Sequence, residues 1–230
     1  MSKADVSIIV TNFNKTPEQL MECMGSIREQ TIEPLEVILV DDCSADPRAH
    51  ALAISIILPK NVGVAKARDI GVKMSRGKLL LFVDADDKLA PDFIQQCGKV
   101  IASKDIAYAN ILLFGAIERS RLQETPPVLK PKHLFGSTNT SVLVTSMMHR
   151  RVYETLGGFR ELPIYEDWDF WLRAMCKGYT FGHANTLLYY RQNLQSRNKV
   201  PSELKTTIHN KITAPYEIRD GLLRERNNGQ

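Results

Sequence analysis

The sequence predicts an α/β fold, a mainly parallel central sheet flanked by helices with a small antiparallel region in its second half. Three observations predict it. Short β-rich apolar runs alternate with segments of helical period, as in βαβ units. One run, Leu79–Val83, is continuously apolar, as strands buried on both faces are. Three of the runs pass directly into polar residues, which suits strands whose carboxyl ends open on a ligand edge.

The elements follow in order. Val6–Val10 is the first strand. Thr16-Pro17-Glu18-Gln19 then reads as a capping box with proline at the first helical position. Leu20, Cys23, Met24 and Ile27 line one face of the helix it starts. Leu35–Val40 and Ile54–Leu58 are the next strands. Val62–Ser75 reads as a helix with Ala67, Ile70, Gly71 and Met74 on one side, ended by Gly77. After Leu79–Val83, a helix spans Pro91–Ser103. Ile106–Ile117 holds one or two strands, and 120–134, with three prolines, reads as a loop. Ser141–Thr145 reads as a strand. His149–Leu156 is a short helix stopped by Gly157-Gly158. Asp167–Lys177 is a helix with Trp168, Trp171, Leu172 and Met175 on one face, and Thr186–Tyr190 a strand. Residues 1–200 are expected to form one domain, with halves meeting near residue 115. A helical tail covers 201–230, where Leu204, Ile208 and Ile212 are spaced to pack, to dimerise or to touch a membrane.

Composition bounds the function. The chain has 230 residues, 43% hydrophobic and 24% charged, so it can bury a sizeable core. Lys and Arg number 30 against 26 Asp and Glu; a net charge of +4 is too balanced to point to nucleic acid. The four cysteines are scattered with no C-x-x-C pair, which removes zinc-ribbon and redox motifs and suits a reducing compartment. Asn14 and Asn139 begin glycosylation-type triplets by chance. The chain lacks room for a signal peptide before Val6 and has no apolar run of membrane-spanning length. A cytoplasmic protein is expected, peripheral at the inner face of the membrane if the tail touches lipid.

The polar clusters carry the chemistry. They are Thr11-Asn12-Phe13-Asn14, Asp41-Asp42-Cys43-Ser44 and Asp84-Ala85-Asp86-Asp87. Each alone suits a turn or cap; three in register suit a binding site. Two carboxylates ~4 Å apart repel by roughly 4 kcal/mol at an effective dielectric near 20, which a divalent cation relieves. Mg²⁺ needs one or two carboxylates and takes its other ligands from water and phosphate, a style that Asp84 and Asp86 fit. Asn61-Val62-Gly63 opens the helix bearing Arg68, an arrangement that can receive an anion. Further on, in Glu166-Asp167-Trp168-Asp169, helical phase sets Asp167 beside the buried stripe and Glu166 near the opposite face. Asp167 can serve as a general base kept dry by the tryptophans, as an N-cap, or as both. The phosphate loop G-x-x-x-x-G-K-[ST] and the dinucleotide G-x-G-x-x-G after the first strand are absent.

VSIIVTNFNK, EVILVDDCSAD, NVGVAKARDIG, LLLFVDADD, RRVYETLGGF, EDWDFWLR and YYRQN, in this order over residues 4–198, resemble glycosyltransferase family 2, nucleotide-sugar enzymes of GT-A fold. The resemblance implies that Thr11, Asn12, Asp42 and Arg68 hold the nucleotide, that Asp84 meets the ribose, and that Asp86 carries Mg²⁺ or Mn²⁺. It makes Asp167 the base of an inverting transfer to an acceptor hydroxyl, with Arg68 and the metal offsetting charge on the leaving diphosphate. Glu166, Gly158 and Trp168 are placed at the acceptor or sugar pocket, and a UDP-sugar is the favoured donor. The acceptor, a glycan, lipid-linked sugar or protein, is open. Asn193 stands where many relatives carry a metal-binding histidine and is a weaker ligand. Asp69 stands where asparagine is common and brings negative charge toward the phosphates. The alternatives are a nucleotide-sugar-binding module without catalysis and, more remotely, a nucleotidyltransferase, which needs a glycine-rich loop that TNFNK lacks. His149, Arg150 and Arg151 form either a basic acceptor contact or a solvated helix face.

Overall fold

The computed structural model describes residues 3–46, 54–117, 119–135, 142–192 and 201–226. Its elements are β1 (Lys3–Asn12), α1 (Pro17–Arg28), β2 (Glu33–Asp41), β3 (Ile54–Ile57), α2 (Val64–Met74), β4 (Leu79–Asp84), β5 (Lys88–Leu89), α3 (Phe93–Ile101), β6 (Ile106–Gly115), β7 (Arg121–Gln123), α4 (Pro131–Phe135), β8 (Met147–His149), α5 (Arg150–Leu156), α6 (Glu166–Cys176), β9 (Phe181–Gln192), α7 (Ser202–Thr213), β10 (Tyr216–Arg219) and β11 (Leu222–Glu225). The main sheet runs β3-β2-β1-β4-β8-β6-β9-β5, with β7 on β6. β1 to β4 pair in parallel, as do β6 and β9, while β8, β5 and β7 are antiparallel to their neighbours.

Strand alternation builds two cores, one per face. Ile9, Leu80 and Phe82 point into one with residues of α2, α5, α6 and α7. Ile8, Val10, Leu81 and Val83 point into the other with residues of α1 and α3. Leu79–Val83 is therefore buried on both sides, as its unbroken apolar run predicts. The α1 start is also as read: the Thr16 hydroxyl accepts from the Gln19 amide and the Gln19 side chain returns to the Thr16 amide.

Four local readings are corrected. On α2 the buried residues are Ala65, Ala67, Arg68, Gly71 and Val72, while Met74 is 62% exposed; burying Arg68 rotates the inner arc away from the apolar periodicity. Residues 120–134 contain β7 and α4. The strand read at Ser141–Thr145 lies instead at Met147–His149, wedged between β4 and β6; Ser141 lies outside the described residues. The tail is helical only to Thr213, and β10 and β11 then form an antiparallel hairpin. Ile208, Ile212, Tyr216 and Leu223 join the core beneath α6, so Ile208 and Ile212 are not available to a second copy or a membrane. Among the described residues no helix is long and apolar enough to cross a membrane.

Candidate active site

Parallel pairing sets Asn12 level with Asp41, and Thr11 level with Asp84, so the three polar clusters meet at one sheet edge. The Thr11 hydroxyl donates to Asp84 Oδ1 at 3.1 Å. Asn12 donates through Nδ2 to Asp41 Oδ2 at 2.6 Å and is buried, so it ties β1 to β2 rather than facing the edge. The anion at the start of α2 is Asp42 itself. Its two oxygens accept the Val62 and Gly63 amides at 2.7 and 2.9 Å. Gly63 has φ 87, a left-handed region where glycine carries no Cβ penalty.

Arg68 projects from α2 into a knot of carboxylates. It is 2% exposed, and its Nη2 donates to Asp84 Oδ1 and its Nη1 to Glu166 Oε1, each at 2.9 Å. The guanidinium lies over the Phe159 ring, 5.3 Å from its centre. Burial works against the charge, but Asp84, Glu166 and Asp167 outweigh it and hold Arg68 protonated. Buried and bonded to two carboxylates, Arg68 orients Asp84 and Glu166.

Glu166 is likewise not on an open face. In α6, Glu166 and every residue from Trp168 to Ala174 are buried. A helix covered all round has no solvent face for helical phase to find, and Glu166 pairs with Arg68 instead of lining a sugar pocket. Asp167 is the residue of this run that stays half-buried. The N-cap is Tyr165, at φ 66. Asp167, one step inside the helix, accepts the Trp168 amide at 2.8 Å, so it satisfies one free amide of the first turn without being the cap. Burial and the Glu166 charge push its carboxyl up to about 7, against the pull of Arg68 and the Trp168 amide.

Trp168 and Gly158 are inside the protein, not at a pocket. Trp168 donates from Nε1 to the Leu134 carbonyl and packs on Tyr165 and His209. Gly158, at φ 77, accepts from Arg173 Nη2 at 2.9 Å, and a Cβ there would come within 2.7 Å of Asp69 Oδ1. Asp69 receives the Tyr153 hydroxyl, so its charge is turned toward α5. Arg150 and Arg151 are spent on Gly77, Ser75 and Asp105, and the His149 ring on the Ile101 carbonyl.

The acids after β4 divide their partners. Asp86 faces Lys15, whose Nζ is 2.6 Å from Oδ2. Asp87 is buried and accepts the Arg191 amide at 2.8 Å; burial and the charges of Asp84 and Asp86 push its carboxyl well above the usual range. Arg191 also donates from Nε to the Asp86 carbonyl at 3.0 Å and from Nη2 to Glu22 at 2.6 Å. Tyr190 lies among these groups: burial, then Asp87, Asp84, Asp167 and Asp86, raise its hydroxyl pKa. Lys15, Asp87 and Tyr190 went unassigned in the sequence because their partners are far away in the chain. Among the described residues no three His, Cys, Asp or Glu side chains converge as a metal cage. Asp86 fits the looser style, one carboxylate under an ion that brings water and phosphate as its other ligands. Asn193 lies outside the described residues.

The family model described as Glycosyl transferase family 2 matches residues 7–157. The chain is 31% identical to the glycosyltransferase YwdF of Bacillus subtilis (strain 168), over 74% of this chain and 67% of that one. It is 33% identical to an N-acetylglucosaminyltransferase of Mesorhizobium japonicum, over 52% of this chain and 30% of that one. The crystal structure of S. aureus TarS 1-349 in complex with UDP-GlcNAc superposes with a TM-score of 0.65 at 20% identity, covering 87% of this chain. The chain spans 61% of that structure's length. The fold is thus shared with TarS, and with the family model covering β1 through α5 and most of the site's carboxylates, the chain belongs to glycosyl transferase family 2.

Proposed function

We propose that the protein transfers a sugar from a nucleoside diphosphate-sugar, a UDP-sugar by preference, to an acceptor hydroxyl with inversion at the anomeric carbon. The observation that carries the reading is Asp167, a half-buried carboxylate in the first turn of α6, raised to about 7 and close enough to Glu166, Arg68 and Asp84 to feel their charges. At neutral pH such a group takes a proton and is still substantially ionised, which is what a general base needs. The UDP preference rests on the fold shared with TarS, whose structure holds UDP-GlcNAc.

The roles follow from what each side chain touches. Asp84, held by Thr11 and Arg68, offers a fixed acceptor to a ribose hydroxyl. Phe13, 47% exposed in the loop after β1, offers a ring face to the base. Asp86 would carry Mg²⁺ or Mn²⁺, which when bound neutralises charge on the diphosphate. Asp167 removes the acceptor proton as the acceptor oxygen bonds to the anomeric carbon and the bond to the diphosphate oxygen breaks. Glu166 and Arg68 hold the first turn of α6 against β4, so the base keeps its place.

Asp167→Asn tests this. Transfer should fall by about 10²–10⁴ with donor binding retained. In the wild type kcat/KM should drop tenfold per unit of pH below about 7 as Asp167 is protonated. Near-normal transfer by the variant removes Asp167 as the base. Metal-dependent nucleotide binding with neither transfer nor donor hydrolysis would favour a non-catalytic binding module. A thermal-shift panel of UDP-, GDP- and dTDP-sugars with and without Mn²⁺ identifies the donor, because a ligand that binds only the folded state raises Tm.

A further inference from the structure

We infer that Lys15 occupies the metal position of the free protein: its ammonium must leave the Asp86 carboxylate before a divalent cation binds there. The inference rests on the reading that Asp86 is the metal-bearing carboxylate. The three acids after β4 are not equivalent. Asp84 is bound by Thr11 and Arg68, and Asp87 by the Arg191 amide. Asp86 Oδ2 has the Lys15 ammonium at 2.6 Å.

The lysine is placed for this by the fold. The backbone of Lys15 is pinned between β1 and α1: its amide donates to Asn12 Oδ1 at 3.4 Å, and the next residue, Thr16, is the N-cap of α1. The two carboxylates flanking Asp86 would repel its charge, and the ammonium relieves that in the absence of a metal. The side chains differ in freedom. That of Asp86 is 8% exposed, that of Lys15 30% exposed. The carboxylate stays, and the lysine, on its flexible stem, can swing off. A dication and an ammonium cannot share one carboxylate oxygen without strong repulsion, so the two compete. A donor diphosphate resolves the competition by giving the ammonium a second anionic partner. Metal and nucleotide would therefore enter together, with weak metal binding to the free protein.

The test is Mn²⁺ titration of the whole chain without nucleotide, followed by the electron paramagnetic resonance signal of free Mn²⁺. Lys15→Met should tighten Mn²⁺ about five- to tenfold, the worth of a partly buried ion pair. Lys88→Met is the control, removing a like charge that pairs with Glu22 rather than Asp86. It should change affinity by less than about twofold, since Lys88, about as exposed as Lys15, is paired with Glu22 and not with Asp86. Equal tightening in both variants means a general field effect and overturns the inference. No tightening in Lys15→Met, including no detectable binding, also overturns it. Lys15→Gln replaces Lys15→Met if circular dichroism shows that the latter does not fold. Asp86→Asn separates the two levels: if Mn²⁺ binding survives it, Asp86 is not the metal carboxylate, whatever Lys15 does.

Discussion

Two carboxylate clusters close the same sheet edge and are held in opposite ways. Asp84 and Glu166 converge on Arg68, an arginine 2% exposed whose two terminal nitrogens are both bonded. Asp86 converges on Lys15, a lysine 30% exposed at the end of a flexible stem. The first pairing is part of the fold: it joins α2, β4 and α6, and breaking it strands charge in the interior. The second joins a carboxylate 8% exposed to a lysine 30% exposed, and only the lysine can swing off toward solvent. The difference lies in desolvation rather than charge. A buried arginine is expensive to strip of its partners because it cannot return to water, whereas a lysine 30% exposed can.

Arg68→Met should break the first cluster most severely. It leaves Glu166 buried without its arginine, so stability should fall by about 3–5 kcal/mol in a urea titration. A loss under about 1 kcal/mol would place both clusters in the same energetic class. Asp42→Ala comes next. Two amides at the start of α2 lose a charged acceptor, for about 2 kcal/mol, and the helix carrying Arg68 loosens.

Asp167, beside the knot, should reveal itself by pH. Its folded pKa is about 7, above the ordinary carboxylate value of 3.8, so the folded protein holds the proton more tightly than the unfolded chain. Stability therefore falls as pH rises from about 4 to 7 through this group, and the cost is fully present above 7. Asp167→Asn should match wild type near pH 4 and exceed it by roughly 1–2 kcal/mol at pH 8, after allowance for screening of a half-buried group. A difference that is constant with pH would mean the carboxyl is not raised. The smallest effect is expected in the second cluster. Asp86→Asn should shift stability by about 1 kcal/mol, because the lysine it leaves can turn to water, while abolishing metal-dependent nucleotide binding. A large loss of stability there would tie Asp86 to the fold no less firmly than Asp84.

Much of the first half was legible in the sequence because its signals are contiguous. The α1 capping box, the apolar run of β4 and the polar residues after three strands all lie within a few positions of one another. The second half was less so. β8 is three residues long and owes its existence to the gap between β4 and β6, which no local propensity encodes. α6 is buried all round, so its phase misplaced Glu166. On α2 the periodicity grouped Met74 with Ala67, Ile70 and Gly71, whereas Met74 is exposed and Arg68 is buried. Trp168 and Gly158 were placed at a pocket on resemblance, yet both are buried.

By itself the sequence determined the α/β class, the parallel sense of its opening strands and the three polar clusters at their ends, because strand and helix periods and caps are short-range. Only the tertiary structure decided what those residues do to one another. Lys15 and Asp86 are 71 positions apart, Arg68 and Glu166 98, and Asp87 and Arg191 104. Which acid meets a buried arginine and which meets a movable lysine depends on where helices and loops converge over the sheet. The burial of the cation at that point, not that of the acid, separates a carboxylate that holds the fold from one that can exchange its partner for a ligand.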